Sequence, residues 1–115
     1  MTAPSPLDRS FAALADPTRR AILQHLAQGP ATAGEIAARF PLSQPAISRH
    51  LRLLGEAGLI ARRVDAQRRP ATLAPEGLTA LTDWIGGLRA SYETRFAQLD
   101  RLLAALPDTD TPQKD

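Results

Sequence analysis

The residues of this sequence best suited to bind a partner are its arginines, which cluster in one segment. Residues 39–69 carry seven arginines against two acidic residues, Glu56 and Asp65, a net charge of +5. Residues 1–38 have three basic and three acidic groups, whereas residues 70–115 have four basic and seven acidic groups. Arginine presents a planar fork of N–H donors that matches phosphate oxygens and guanine edges. The basic middle segment therefore indicates binding to a polyanion such as nucleic acid.

The sequence lacks several features on which catalytic and metal sites depend. The chain has no cysteine, which excludes disulfides, thiolate metal sites and cysteine nucleophiles. Its histidines fall within predicted helices, where we expect a packing or surface role for His25 and a packing role or phosphate contact for His50. No glycine-rich phosphate loop is found. We therefore expect no enzymatic activity, no metal site and no cofactor.

No membrane or export signal is evident in the sequence. No apolar run approaches the ~18 residues of a membrane span. The first ten residues lack the basic and apolar regions of a secretory signal. A cytoplasmic protein is the expectation.

Three short helices are predicted before the basic segment. Residues 7–14 carry apolar side chains at i, i+4 and i+7, the spacing of one helix face. Asp16 is a good N-cap and is followed by proline, so that a second helix begins there. Thr32 and Glu35 have the spacing of a capping box, which predicts the start of a third helix.

The fourth predicted helix, residues 43–57, presents side chains that could contact DNA. Ser43 is its N-cap candidate. Its apolar residues fall at i, i+4 and i+7 and should face the core: Ile47, Leu51 and Leu54. The opposite face carries Gln44, Ser48, Arg49 and Arg52. A short connection at 40–43 joins it to the third helix, which predicts a helix-turn-helix whose second helix fits the major groove.

A small basic hairpin is predicted to follow over residues 59–74, in the position of a wing. Its two halves favour strands, and Pro70 confines the second strand to a sheet edge. The hairpin carries four arginines: Arg62, Arg63, Arg68 and Arg69. Beside a helix in the major groove, these side chains could reach the flanking phosphate backbone or the minor groove.

The pattern from Glu76 to Leu106 predicts a long helix with an apolar seam at heptad spacing. The seam is too continuous for one small chain to cover, so packing against a second copy is expected. We interpret Trp84 as a core or interface anchor, with the lining of a small-molecule pocket as the alternative. The predicted dimer-interface residues are Leu7, Phe11, Leu14, Leu81, Trp84, Ile85, Leu88, Tyr92 and Leu99. Residues 1–6 and 107–115 are predicted to be disordered, which leaves one domain at 7–106.

Two runs, LADPTRRAIL and SQPAISRHLRLLGEAGLI, give the sequence a close resemblance to the ArsR-type winged-helix repressors of bacteria. The resemblance covers residues 7–106. The run RRVDAQRRPATLAPEGLTALTDWI is similar to the subgroup encoded beside SRPBCC-type proteins. The resemblance implies a mainly α fold with a small β-hairpin, the winged helix-turn-helix. It also implies a homodimer through the first and last helices that binds an inverted-repeat operator. By position, the family's DNA-facing residues are Ser43, Gln44, Ser48, Arg49 and Arg52, and its wing arginines are Arg62, Arg63 and Arg68.

The sequence departs from the metal-sensing members of this family. Those members place thiolates on the third helix, at positions that are Thr32, Gly34 and Ala37 here. Others use Asp/His pairs on the last helix, where this chain has Asp83 and Asp100 without histidine. Isolated carboxylates are poor zinc ligands. The resemblance therefore implies a subgroup that lacks the metal sites.

Taken together, the sequence predicts a dimeric transcriptional repressor of its own or an adjacent operon. Its partners are double-stranded DNA and a second copy, and the sequence identifies no small-molecule effector. Two alternatives stay open: a metal-responsive regulator of the same fold, and a winged-helix protein-interaction module that does not bind DNA.

Overall fold

The computed structural model describes residues 3–64 and 67–107. Within these ranges, five helices and a two-stranded hairpin follow one another in the predicted order, which confirms the mainly α class with a small β-hairpin. The elements are α1 (Pro6–Leu14), α2 (Pro17–Leu26), α3 (Ala33–Ala37), α4 (Gln44–Glu56), β1 (Ile60–Arg62), β2 (Ala71–Leu73) and α5 (Pro75–Ala105).

Contacts divide the chain into two compact units, unit 1 at Met1–Thr82 and unit 2 at Asp83–Asp115. The predicted domain at 7–106 spans both units, and their boundary falls within α5. Of the predicted tail at 107–115, only Pro107 lies among the described residues. No helix in the described ranges combines the length and apolar character needed to cross a bilayer.

Each of the four short helices begins at a side-chain cap, which fixes where it starts. Asp16, Thr32 and Ser43 are the N-caps of α2, α3 and α4, as predicted. Ser5 caps α1 and forms a capping box with Asp8. Because this box satisfies the first backbone N–H groups, α1 begins one residue before the predicted domain start.

The core of unit 1 is built from aliphatic side chains of α2, α3 and α4 and of the segment before β1. Its largest fully buried members are Ile22, Ile36, Ile47, Leu51, Leu54 and Leu59. Burial of each such side chain contributes roughly 1.5–3 kcal/mol of hydrophobic free energy. Since the apolar face of α4 is buried as predicted, the opposite face of this helix is left at the surface.

The hairpin is anchored to the rest of unit 1 at its second strand. Strands β1 and β2 pair antiparallel, with Ile60 opposite Leu73 and Arg62 opposite Ala71. Ala71 is fully buried and exchanges two backbone hydrogen bonds with Ala31, of 3.1 and 2.8 Å. The root of the wing is thereby tied to the segment that precedes α3.

The first turn of α5 packs closely on the loop after α4. Gly58 has a φ of +77°, a left-handed conformation that favours glycine. A Cβ atom at Gly77 would overlap the Gly58 carbonyl oxygen. Both glycines are therefore required by the geometry, one by its backbone angle and the other by the close approach.

Candidate nucleic-acid interface

The outer face of α4 brings together the side chains that the sequence predicts to contact DNA. Ser43 caps the helix, and its Oγ accepts a hydrogen bond from the Ala46 N–H at 3.3 Å. Gln44, Arg49 and Arg52 are exposed, and Ser48 is half-buried. These polar side chains lie opposite the buried apolar face, so that α4 can enter a groove without disturbing the core.

Arg52 is held only loosely on this surface. Its Nη1 lies 3.3 Å from the Glu56 carboxylate, one turn along the helix, and both side chains are more than half exposed. Exposed pairs of this kind contribute only about 0.3–0.5 kcal/mol. A phosphate or a guanine edge can therefore displace Glu56 at little cost.

An open groove of about 600 Å³ separates α4 from the wing, and four arginines line it. Arg49 and Arg52 come from α4, whereas Arg62 and Arg69 come from the hairpin. Among the residues of 3–64 and 67–107 that line this groove, none is acidic: they are Pro45, Ser48, Arg49, Leu51, Arg52, Gly55, Arg62 and Arg69. The groove is thus a cationic surface to which two separate elements contribute.

Arg62 and Arg69 are coupled across the hairpin. The Arg62 Nε and Nη2 groups donate hydrogen bonds to the Arg69 carbonyl oxygen at 3.3 and 3.2 Å. Partial burial, and then the positive charge of Arg69, lower the pKa of Arg62. Arg62 stays charged at neutral pH, so two like charges face the same groove. An anion bound between them would relieve their repulsion.

The other two wing arginines are placed differently. Arg63 is exposed. Arg68 instead contacts α3, because its Nη2 lies 3.1 Å from both carboxylate oxygens of Glu35. The Glu35 Oε1 also accepts a hydrogen bond from the Thr32 N–H at 2.8 Å. This N–H, and to a smaller extent the Arg68 charge, lower the pKa of Glu35.

Sequence reasoning missed the structural role of the two arginines at the corner between α1 and α2. The Arg19 Nε donates to the Ala13 carbonyl oxygen at 2.8 Å, and the Arg20 Nη1 donates to that of Leu14 at 2.6 Å. Arg19 also lies 3.3 Å from the His50 Nδ1 on α4. The signal in the sequence is a pair of cations soon after a helix end, where free carbonyl groups attract them.

A helix-turn-helix domain family matches residues 14–63, a range that includes α2 to β1. The chain is 45% identical over 92 residues to the HTH-type transcriptional regulator Rv2034 of Mycobacterium tuberculosis. The aligned residues make up 80% of this chain and 86% of the relative. The solved structure of the ArsR family transcriptional regulator RHA00566 is 35% identical, with a TM-score of 0.70 over 80% of this chain and 95% of that one.

This chain belongs to the ArsR family of transcriptional regulators. It is a winged helix-turn-helix regulator and not an enzyme, because its relatives are regulators of transcription. A third similar protein, Mb0332 of Mycobacterium bovis, was solved as a homodimeric winged helix-turn-helix DNA-binding domain. It is 26% identical, with a TM-score of 0.62 over 78% of this chain and 91% of that one.

The ArsR-family resemblance predicts a dimer interface on α1 and α5, and the structure divides its residues into two groups. In unit 1, Leu7 and Leu14 are partly buried against the core, Phe11 is 38% exposed, and Leu81 is only 6% exposed. Leu81 is therefore a core residue of its own chain. In unit 2, four predicted interface side chains are 51–67% exposed: Ile85, Leu88, Tyr92 and Leu99. Trp84 is 46% exposed.

The potential metal ligands of this regulator do not come together in the part of the chain that the structure describes. Across residues 3–64 and 67–107, no group of three His, Asp or Glu side chains could hold a metal ion. His25 packs edge-on against Phe40, with ring centroids 6.2 Å apart. His50 faces Arg19, a cation, which is an unfavourable neighbour for a metal ligand.

Proposed function

We propose that this ArsR-family chain is a homodimeric repressor that binds a specific inverted-repeat sequence in double-stranded DNA. The main support for DNA binding is the groove between α4 and the wing, which is lined by four arginines from two elements. Phosphates along a duplex supply the matching negative charge. The buried apolar face of α4 leaves its polar face available to the major groove, which is wide enough for a helix.

Different side chains have different parts in this proposal. On α4, base contacts come from the exposed polar face, Gln44, Ser48, Arg49 and Arg52. Ser43 lies at the helix start, where backbone N–H groups favour a phosphate. In the wing, Arg62, Arg63 and Arg69 bind the flanking backbone or the minor groove, which adds affinity without sequence preference. Arg68 was predicted with them. Its Nη2 contacts both carboxylate oxygens of Glu35, whereas Arg52 contacts one oxygen of Glu56, so Arg68 is held more firmly away from DNA than Arg52 is.

The partner of the exposed apolar side chains in unit 2 is a second copy of the chain. Several large apolar residues along one helix expose half or more of their surface, which is unfavourable in water. A closed two-fold dimer covers them with the same surface of the other copy. In unit 2 the proposed interface residues are Trp84, Ile85, Leu88, Tyr92 and Leu99. In unit 1 they are Leu7, Phe11 and Leu14, as the family resemblance implies. Two-fold symmetry would place the two α4 helices about one DNA turn, ~34 Å, apart.

Repression follows from occupancy of DNA. A dimer that covers promoter DNA of its own or an adjacent operon blocks access by RNA polymerase. The proposed location is the cytoplasm of a bacterium, where that DNA lies.

Selection from a random pool of duplexes tests this function. The protein is incubated with the pool, and bound DNA is amplified and sequenced through several rounds. We expect enrichment of an inverted repeat with half-site centres about 10–11 base pairs apart. Enrichment of no sequence, together with binding that is indifferent to salt, would show that the cationic groove does not bind DNA.

A further inference from the structure

The second half of the wing is joined to the start of α3 at two levels. At the root, Ala71 and Ala31 exchange two backbone hydrogen bonds. Farther along, Arg68 contacts both carboxylate oxygens of Glu35 at 3.1 Å. Glu35 is itself fixed, because its Oε1 accepts the Thr32 N–H within the capping box of α3. Glu35 is thus a fixed point on the helix-turn-helix to which the wing is attached.

Arg68 and Arg69 are neighbours in sequence but have separate surroundings. Arg69 lines the groove with α4, whereas Arg68 contacts Glu35 on α3 and is not among the groove-lining residues. The two strands have three residues each, and a short hairpin alone is marginally stable. Contacts outside the hairpin, such as the Arg68–Glu35 pair, therefore help to set the position of its arginines.

We propose that Glu35 and Arg68 form a wing latch, an ion pair that positions the wing for DNA. The proposal deepens the proposed DNA-binding function and rests on it. Arg68 then acts through Glu35 and the wing position, and it is a positioning residue rather than a phosphate contact. Loss of the latch lowers affinity because Arg62 and Arg69 must be ordered when DNA binds.

Two substitutions separate this role from direct phosphate contact. Glu35→Gln keeps the capping box, since glutamine serves at that position, but removes the charge that holds Arg68. Arg68→Gln removes the other half of the latch. Because the pair is exposed, it contributes little to stability. Arg68→Gln should therefore keep the thermal unfolding midpoint of the wild type, and Glu35→Gln should lower it only by the small contribution of its carboxylate to the capping box.

The measurement is affinity for a fluorescein-labelled, mixed-sequence duplex of about 30 base pairs, long enough for two half-sites, over a series of salt concentrations. We expect each single variant and the double variant to lose the same factor, about two- to fivefold. All three should share one salt slope, because they break the same latch. Glu56→Gln is the matched control, since it removes the carboxylate paired with Arg52 and should not weaken binding.

Two results would overturn the latch. Removal of an acidic charge near DNA normally raises affinity, so unchanged or tighter binding by Glu35→Gln would overturn the latch. A salt slope for Arg68→Gln smaller by about 0.9 than that of Glu35→Gln would identify Arg68 as a phosphate contact and overturn it as well. If the wild type does not bind DNA, both the proposed function and the latch are overturned. If only the variants bind weakly, the proposed function stands and the latch is supported.

Discussion

Single side chains on α4 are the first place where the account can be tested. Arg52 and Arg89 both form exposed ion pairs with a glutamate one turn further along a helix, each at 3.3 Å. Only Arg52 lines the cationic groove. Arg52→Ala, and likewise Arg49→Ala, should cost roughly 1–3 kcal/mol of affinity for the selected operator, as expected for a base contact.

The matched control for this prediction is Arg89→Ala, because it breaks an equivalent pair on α5 in unit 2. Gel-shift titrations of the variants on one duplex provide the comparison. Equal affinities for all of them would contradict the assignment of α4 as the DNA-contacting helix.

Two carboxylates in unit 1 predict how stability depends on pH. The Arg19 N–H lowers the pKa of Asp16, and the Thr32 N–H lowers the pKa of Glu35. In the unfolded chain these groups return to ordinary values of 3.8 and 4.5. The unfolded state therefore binds protons first as the pH falls, and the contribution of both groups is present above these values and lost below them.

Thermal unfolding between about pH 6 and pH 3 should show this loss, because acid favours the unfolded state over that range. Asp16→Asn keeps a good N-cap but does not titrate, so its unfolding midpoint should fall less steeply with acid. Parallel curves for the variant and the wild type would show that Asp16 does not contribute.

For single side chains, the sequence predicts that the arginines cluster, but not which of them line the groove and which contact other parts of the protein. Arginine type and spacing identified the basic segment. The separation of Arg68 from Arg69 depends on Glu35, which lies far from both in sequence and whose only visible signal was a capping box. Arg19 and Arg20 were counted only as charge, because their partners are backbone carbonyls of the preceding helix.

Among the elements, the junction between α4 and α5 makes a sharp prediction. A Cβ at Gly77 would overlap the Gly58 carbonyl oxygen and come within 2.8 Å of its carbonyl carbon. Gly77→Ala should therefore destabilise unit 1 by about 1–3 kcal/mol, the range for overpacking. Gly55→Ala is the matched control, since its Cβ would meet nothing within 4 Å and alanine favours helix.

Urea unfolding of the two alanine variants measures the difference. A Gly77→Ala variant as stable as Gly55→Ala would mean that α5 does not begin where the structure places it.

Helix starts, the buried face of α4 and the hairpin were all predictable, because caps and apolar spacing are local signals. The close packing of Gly77 on Gly58 was not, since it joins two elements. The capping box at Ser5 is also a local signal but was overlooked, and α1 begins at Pro6, one residue before the predicted domain.

For the whole molecule, the apolar surface of unit 2 predicts self-association. Leu88→Asp places a charge among large exposed apolar side chains and should convert the dimer to a monomer, with weaker operator binding. Ala90→Asp adds the same charge on the opposite face of the same helix and should leave the dimer intact. Sedimentation velocity gives the masses, and circular dichroism checks that helical content is kept. If the Leu88→Asp variant is still a dimer, the apolar surface of unit 2 is not the dimer interface.

The seam of α5 shows where sequence reasoning about assembly stops. Its apolar residues follow heptad spacing from Leu78 to Leu106, interrupted at Arg95. This pattern does not show which of them the chain covers with its own side chains. Leu81 was predicted to lie at the interface and is instead buried in the core of unit 1. Coverage depends on which other elements reach the helix, and that is a property of the tertiary fold.

Hydroxyl-radical footprinting of the selected duplex shows whether the protein contacts DNA with one α4 helix or with two. Two α4 helices related by two-fold symmetry should protect two patches of backbone, about one helical turn apart and centred on the inverted repeat. Flanking protection should mark the contacts of the two wings. A single protected patch, or protection without two-fold symmetry, would contradict a dimer that binds DNA through paired α4 helices.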